Sequence, residues 1–178
     1  MKKLIKPIIS LNLALMVCVL GAATSAKSTA RVNVRATQGG EVFTHSDAGI
    51  RFELPKGWKA KPDGEVITVS TADDSLQMVF WVPDADSFDA AVKDLDKELS
   101  KTIKNIKTTD KGTSDKHNGM PHFSTGGTGD VDGTTIEWSV DVLAARKIVI
   151  VLTFAAPGIA EKHANEAVQF ITSIKKIP

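Results

Sequence analysis

Leu76-Gln77-Met78-Val79-Phe80-Trp81-Val82 is the stretch that decides the fold. Side chains alternate across a strand, so Leu76, Met78 and Phe80 share one face while Val79 and Trp81 share the other. Both sets are apolar, which is the mark of an interior strand covered on its two sides. A layered protein with a sheet in its middle follows from that single run. Pro83 closes the strand, and Asp86 or Ser87 then caps a helix whose apolar positions are Phe88, Val92, Leu95, Leu99, Ile103 and Ile106. Lys93, Asp94, Lys97, Lys101 and Lys104 lie on its opposite face and read as a solvated surface.

Working toward the N-terminus, Val66 to Thr71 is a second strand, joined to the first by a turn at Asp73 and Asp74. Before it, Ile50, Phe52 and Leu54 alternate with Arg51 and Glu53, the period of a half-buried strand, and Pro55-Lys56-Gly57-Trp58 turns the chain. Toward the C-terminus, residues 107–133 form a polar meander containing Thr125-Gly126-Gly127-Thr128-Gly129, which reads as a flexible hairpin loop. Asp132-Gly133 is a hairpin turn, because both residues tolerate the positive φ that a two-residue turn requires. Ile136, Trp138, Val140 and Val142 alternate with polar residues in the next strand. Ile148 to Phe154 is nearly continuous in apolar residues and belongs in the middle of the sheet. Beyond Pro157-Gly158, a last helix sets Ala160, Ala164, Ala167, Val168, Ile171 and Ile174 on one stripe. Strands, helix, strands, helix is the order of an α+β domain on a mostly antiparallel sheet.

The chain has 178 residues, with 42% hydrophobic content and a formal net charge of +1. That balance argues against a dedicated nucleic-acid binder, which needs surplus cations to displace phosphate counterions. The charge is unevenly placed. Residues 41–178 hold 16 basic and 21 acidic side chains, a net charge of −5. Lys2, Lys3 and Lys6, an apolar run from Ile8 to Leu20 and the small residues Ala23-Thr24-Ser25-Ala26 read as a secretory signal peptide over 1–26. The run is shorter than the roughly 20 apolar residues that cross a membrane, so no transmembrane segment is expected after cleavage. Cys18, the one cysteine, also allows a lipidated N-terminus, but Val17 is a poor residue to precede a lipidated cysteine. Residues 27–40, with Lys27, Arg31 and Arg35, read as a flexible leader that either touches anionic membrane or links, and 41–178 as a single domain. A mature chain without cysteine rests on a packed core and excludes thiol chemistry.

Catalytic signatures are missing. There is no Gly-x-Ser-x-Gly, and the neighbours His45-Ser46-Asp47 point apart on a strand, so they cannot act as a triad. The glycines at 126–129 lack the Gly-Lys-Ser/Thr ending of a phosphate loop. Asp130 and Asp132 beside Gly133 match half of a calcium loop without its closing glutamate. Asp115, His117 and His122 are the candidate metal ligands: the first two face one way on a strand, and a turn at Gly119 and Pro121 could bring the third near. Three such ligands suit zinc or copper, with exposed polar residues as the competing reading. Trp58, Trp81 and Trp138 read as core packing.

Gly49-Ile50-Arg51-Phe52-Glu53-Leu54-Pro55-Lys56-Gly57-Trp58 resembles the opening of PsbP-like domains, in which an apolar strand runs into a Pro-x-Gly-Trp turn. The subsequent order of elements is similar, as is Ala167-Val168-Gln169-Phe170-Ile171-Thr172-Ser173-Ile174 to the helix that closes those domains. The resemblance covers about 41–178. It implies an α/β/α sandwich, a central mostly antiparallel sheet flanked by helices. It also implies an accessory or binding role, since the family's members are mostly accessory or binding proteins, bacterial envelope proteins among them. The expected function is an exported, non-catalytic binding or assembly module of the bacterial cell envelope, periplasmic or secreted, with a protein partner and no cofactor. The alternative is a small-ligand or metal carrier, and an envelope hydrolase is a third reading.

Overall fold

The computed structural model describes residues 32–37, 40–64 and 66–178. The signal peptide read at 1–26, Cys18, Lys27 and Arg31 lie outside them. In chain order the elements begin with strands β1 (Val32–Thr37), β2 (Gly40–His45), β3 (Ile50–Glu53), β4 (Lys59–Asp63), β5 (Val66–Ser70) and β6 (Leu76–Trp81). Helices α1 (Phe88–Lys93) and α2 (Leu95–Leu99) come next, then strands β7 (Lys104–Thr108), β8 (Thr113–His117), β9 (Met120–Val131), β10 (Thr134–Ala144) and β11 (Ile148–Ala155). Helices α3 (Ile159–Lys162) and α4 (Ala164–Ser173) and the short strand β12 (Lys175–Lys176) close the chain. Within the leader read at 27–40, residues 32–37 are therefore a strand, paired antiparallel with β2 from Val32↔His45 to Thr37↔Gly40.

The strands form a small sheet in the order β1-β2-β3-β12 and a large one in the order β4-β5-β6-β11-β10-β9-β7. Every pairing is antiparallel. The outer edge of β9 is shared, with β8 on its first half and β7 on its second. The run at 76–82 does what its pattern requires. Leu76, Met78 and Phe80 join one core with Phe52, Ile67, Val151 and Phe170, while Val79 joins the other with Leu95, Leu99, Ile150 and Leu152. Phe52, Phe80 and Phe170 are at most 1% exposed and meet with ring centroids 5.1–5.6 Å apart. Fully burying a side chain of this kind contributes roughly 1.5–3 kcal/mol. Trp58 of the Pro-x-Gly-Trp turn stacks on Phe170 at 5.9 Å.

The large sheet is the central layer. Helices α1 and α2 cover one face; the other is covered by α4 together with the small sheet, so the second layer is mixed rather than purely helical.

Other elements also differ from the sequence reading. The helix expected over the stripe Phe88 to Ile106 ends at Leu99: Ser87 caps it by accepting from Ala90 N at 3.2 Å, and it is broken at Asp94. Beyond it, Ile103 and Ile106 are β-branched and favour extended backbone, and Asn105 takes a φ of 51°, so Ile106 lies in β7. The last helix is likewise divided, at His163. Its buried stripe runs through Ala167, Phe170, Ile171 and Ile174, and Val168 is 65% exposed. Finally, Gly126, Gly127 and Gly129 are inside β9 instead of in a loop. A Cβ on Gly127 would strike the Lys107 carbonyl, and one on Gly129 would strike Ile103. The glycines therefore let β7 and its preceding turn close onto the sheet.

Candidate functional site

Two features on β9 stand out, one on each face of the large sheet. The first is an open groove of about 640 Å³ between the helices and the chain joining β7 to β8. Val92 and Leu95 form its helical wall, and Phe123 and Trp138 form the floor. Trp138 is held by an indole N–H that donates to the Thr128 carbonyl at 3.0 Å, and it crosses the strand pair opposite Gly127. The far rim is Thr108 to Lys111. It is pinned by Thr109 N donating to Gly126 O at 2.9 Å and by Gly112 N donating to the Asp110 carboxylate at 2.8 Å. Gly112 takes a φ of 79° and lies against the Phe123 ring, where a Cβ would collide. The result is an apolar floor and helical wall facing a polar rim, with Asp96, Asp110 and Lys111 among the lining residues.

The second feature is a line of titratable groups across β8, β9 and β10. Asp115 and His122 are directly paired across β8 and β9, and His122 Nδ1 lies 2.6 Å from Asp115 Oδ1. Its Nε2 lies 2.9 Å from Asp141 Oδ1 on β10. The bond to Asp141 is the largest cause raising the His122 pKa above its ordinary 6.5; burial opposes it, and Asp115 reinforces it. The His117 ring is 5.6 Å from that of His122, tilted by 58°. Asn118, at a φ of 47° in the tight turn between β8 and β9, donates to the carbonyls of Thr172 at 3.0 Å and Ile174 at 2.8 Å, at the end of α4.

Of the candidate metal ligands, Asp115 and His122 are thus brought into contact and His117 beside them, but as a hydrogen-bonded cluster. Both nitrogens of His122 face carboxylates, so an ion shared with His117 would have to displace one of these contacts. Among the described residues no group of three or more His, Cys, Asp and Glu side chains could hold a metal. In the sequence, Asp141 is only one of the polar positions that alternate with Ile136, Trp138, Val140 and Val142. Its link to His122 follows from the register of β9 against β10, and a pattern read along one strand does not carry that.

The remaining candidates have local structural tasks. His45 is buried and its Nδ1 accepts from Ala48 N at 3.1 Å. Asp130 accepts from Asn105 at 2.7 Å and Thr135 at 3.0 Å, bonds that hold its carboxyl below the ordinary range. Asp132 occupies the hairpin turn with a φ of 50°. Glu137 accepts from Gly158 N at 3.1 Å.

No protein-family model matches the chain, and no curated protein matches it in sequence. Its fold, however, is that of known structures. The cyanobacterial PsbP protein CyanoP from Synechocystis superposes with a TM-score of 0.53 at 11% identity, over 88% of this chain and 98% of that one. LpqN, involved in cell envelope biogenesis of Mycobacterium tuberculosis, gives 0.51 at 13% identity over 75% and 88% of the two chains. A protein of Bacteroides thetaiotaomicron gives 0.53 at 15% identity over 79% of this chain, which spans about half of that one, 49%. The chain has a PsbP-like fold. Among the described residues no helix is long and apolar enough to cross a membrane.

Proposed function

We propose that the protein is an exported, non-catalytic binding or assembly module of the bacterial cell envelope, and that a protein partner docks in the groove between α1, α2 and the chain joining β7 to β8. The groove carries this reading. Half-buried Phe123 and Val92 give it an apolar centre over the almost fully buried Trp138, with Asp96, Asp110 and Lys111 around them, and an apolar centre with a polar rim is how protein interfaces are built. The PsbP-like fold and the envelope role named for LpqN point in the same direction. Support for a non-catalytic role comes from the absence of a nucleophile motif such as Gly-x-Ser-x-Gly in the sequence.

Crosslinking of the tagged protein in its native envelope tests this, with Val92→Glu in the groove wall as the comparison. A stoichiometric partner recovered with the unaltered chain and lost with the variant is the expected result. Recovery of the protein alone, or of a partner indifferent to the variant, contradicts it. The size of the groove favours one second reading, a small-ligand carrier, since ligand sites commonly span about 300–1,000 Å³. A small molecule retained in native mass spectrometry, and lost with Val92→Glu, would establish that reading instead.

A further inference from the structure

Asp115, His122 and Asp141 come from three adjacent strands and meet in one chain of hydrogen bonds. An ionised carboxylate only accepts, so each contact needs an N–H on the imidazole. A neutral ring carries one N–H and an imidazolium two. Nδ1 at 2.6 Å from Asp115 and Nε2 at 2.9 Å from Asp141 therefore fit the protonated ring. The two carboxylates are not equivalent. The Asp141 side chain is 14% exposed, that of Asp115 59%, and that of His122 10%. When the ring loses a proton, leaving Asp141 without a donor costs more than returning Asp115 to water, so the remaining N–H stays on Nε2.

We propose that Asp115, His122 and Asp141 form a pH-operated clasp, which holds β8 to the sheet while His122 is protonated and releases the Asp115 end when it is neutral. The groups facing the ring are Asp115 and His117 from β8 and Asp141 from β10, with Leu143 directly across. Among the described residues neither carboxylate has a Lys or Arg partner, so nothing else answers their charge. The hairpin of β8 and β9 is also tied at its tip, where Asn118 bonds the end of α4. That attachment is an uncharged amide on two backbone carbonyls, and the same amide nitrogen lies 3.2 Å from His117 Nε2. Releasing the clasp leaves β8 on its backbone pairing with β9 and on the tip, so the strand is loosened rather than detached. Because the folded pKa of His122 is raised, the clasp is complete below the ordinary 6.5 and is lost as pH rises through the folded value.

The test is ¹⁵N NMR of the full protein across its imidazole titration. Both His122 nitrogens should carry protons at the acid end, and Nδ1 should be the one that loses its proton. Hydrogen-exchange protection of the β8 amides, relative to β10, should fall about fivefold through the same titration, the scale of one net hydrogen bond. In His122→Gln that protection should no longer follow pH. Titration of His122 below 6.5, loss of the proton from Nε2 instead, or β8 protection unchanged through the titration would each overturn the proposal. The unaltered protein alone supplies these readings if the variant does not fold.

Discussion

On one side of the large sheet, Val79, Ile136, Trp138, Val140, Ile150 and Leu152 run together beneath α1 and α2. On the other, the apolar side chains of β5, β6 and β11 give way on β10 to Glu137, Ser139 and Asp141, and the contact is made by Asp115 and His122 of the β8–β9 hairpin. The first region is held by area removed from water, which is insensitive to direction and to pH. The second is held by a few aligned bonds whose strength depends on one proton. A sheet of this kind can therefore combine a rigid centre with an edge that responds to its surroundings.

The largest effect is expected in the apolar core under α4, on the same side of the sheet as the second region. Phe170→Ala removes a fully buried ring shared by Phe52, Phe80 and Trp58, and should cost about 3–5 kcal/mol in a denaturant titration. Gly127→Ala is the next largest. Its Cβ would meet the Lys107 carbonyl, so about 1–3 kcal/mol should be lost, as in other overpacked sites, whereas a flexible loop at 126–129 would tolerate the change. His122→Gln should cost about 1 kcal/mol, the scale of a net hydrogen bond. The loss should be fullest below pH 6.5 and shrink as pH rises, seen as two stability curves that converge. Ser87→Ala removes only the exposed cap of α1 and should cost about 0.5–1 kcal/mol in thermal unfolding.

The apolar half was the legible half. β6, β11 and the Asp132-Gly133 turn are encoded in neighbouring residues, through a period or a positive φ, and these elements stand where the sequence places them. The rest depends on residues distant in the chain. β4 carries Lys59, Lys61 and Pro62, which suit an exposed edge strand and disguise it as a loop. The glycines of β9 look like a loop until Lys107 and Ile103 are set against them. Of the titrating cluster, Asp115 and His122 were legible through their hairpin spacing. Asp141, 19 residues beyond His122, was not.

The central claim is that the groove beside Trp138 is where a partner docks, and photo-crosslinking from defined positions in the native envelope tests it most directly. A photoreactive residue at Thr125, in the groove lining, should capture one partner reproducibly, and the same residue at Lys61 on the exposed β4 edge should capture none. Equal capture from both positions, or none from Thr125, would contradict it.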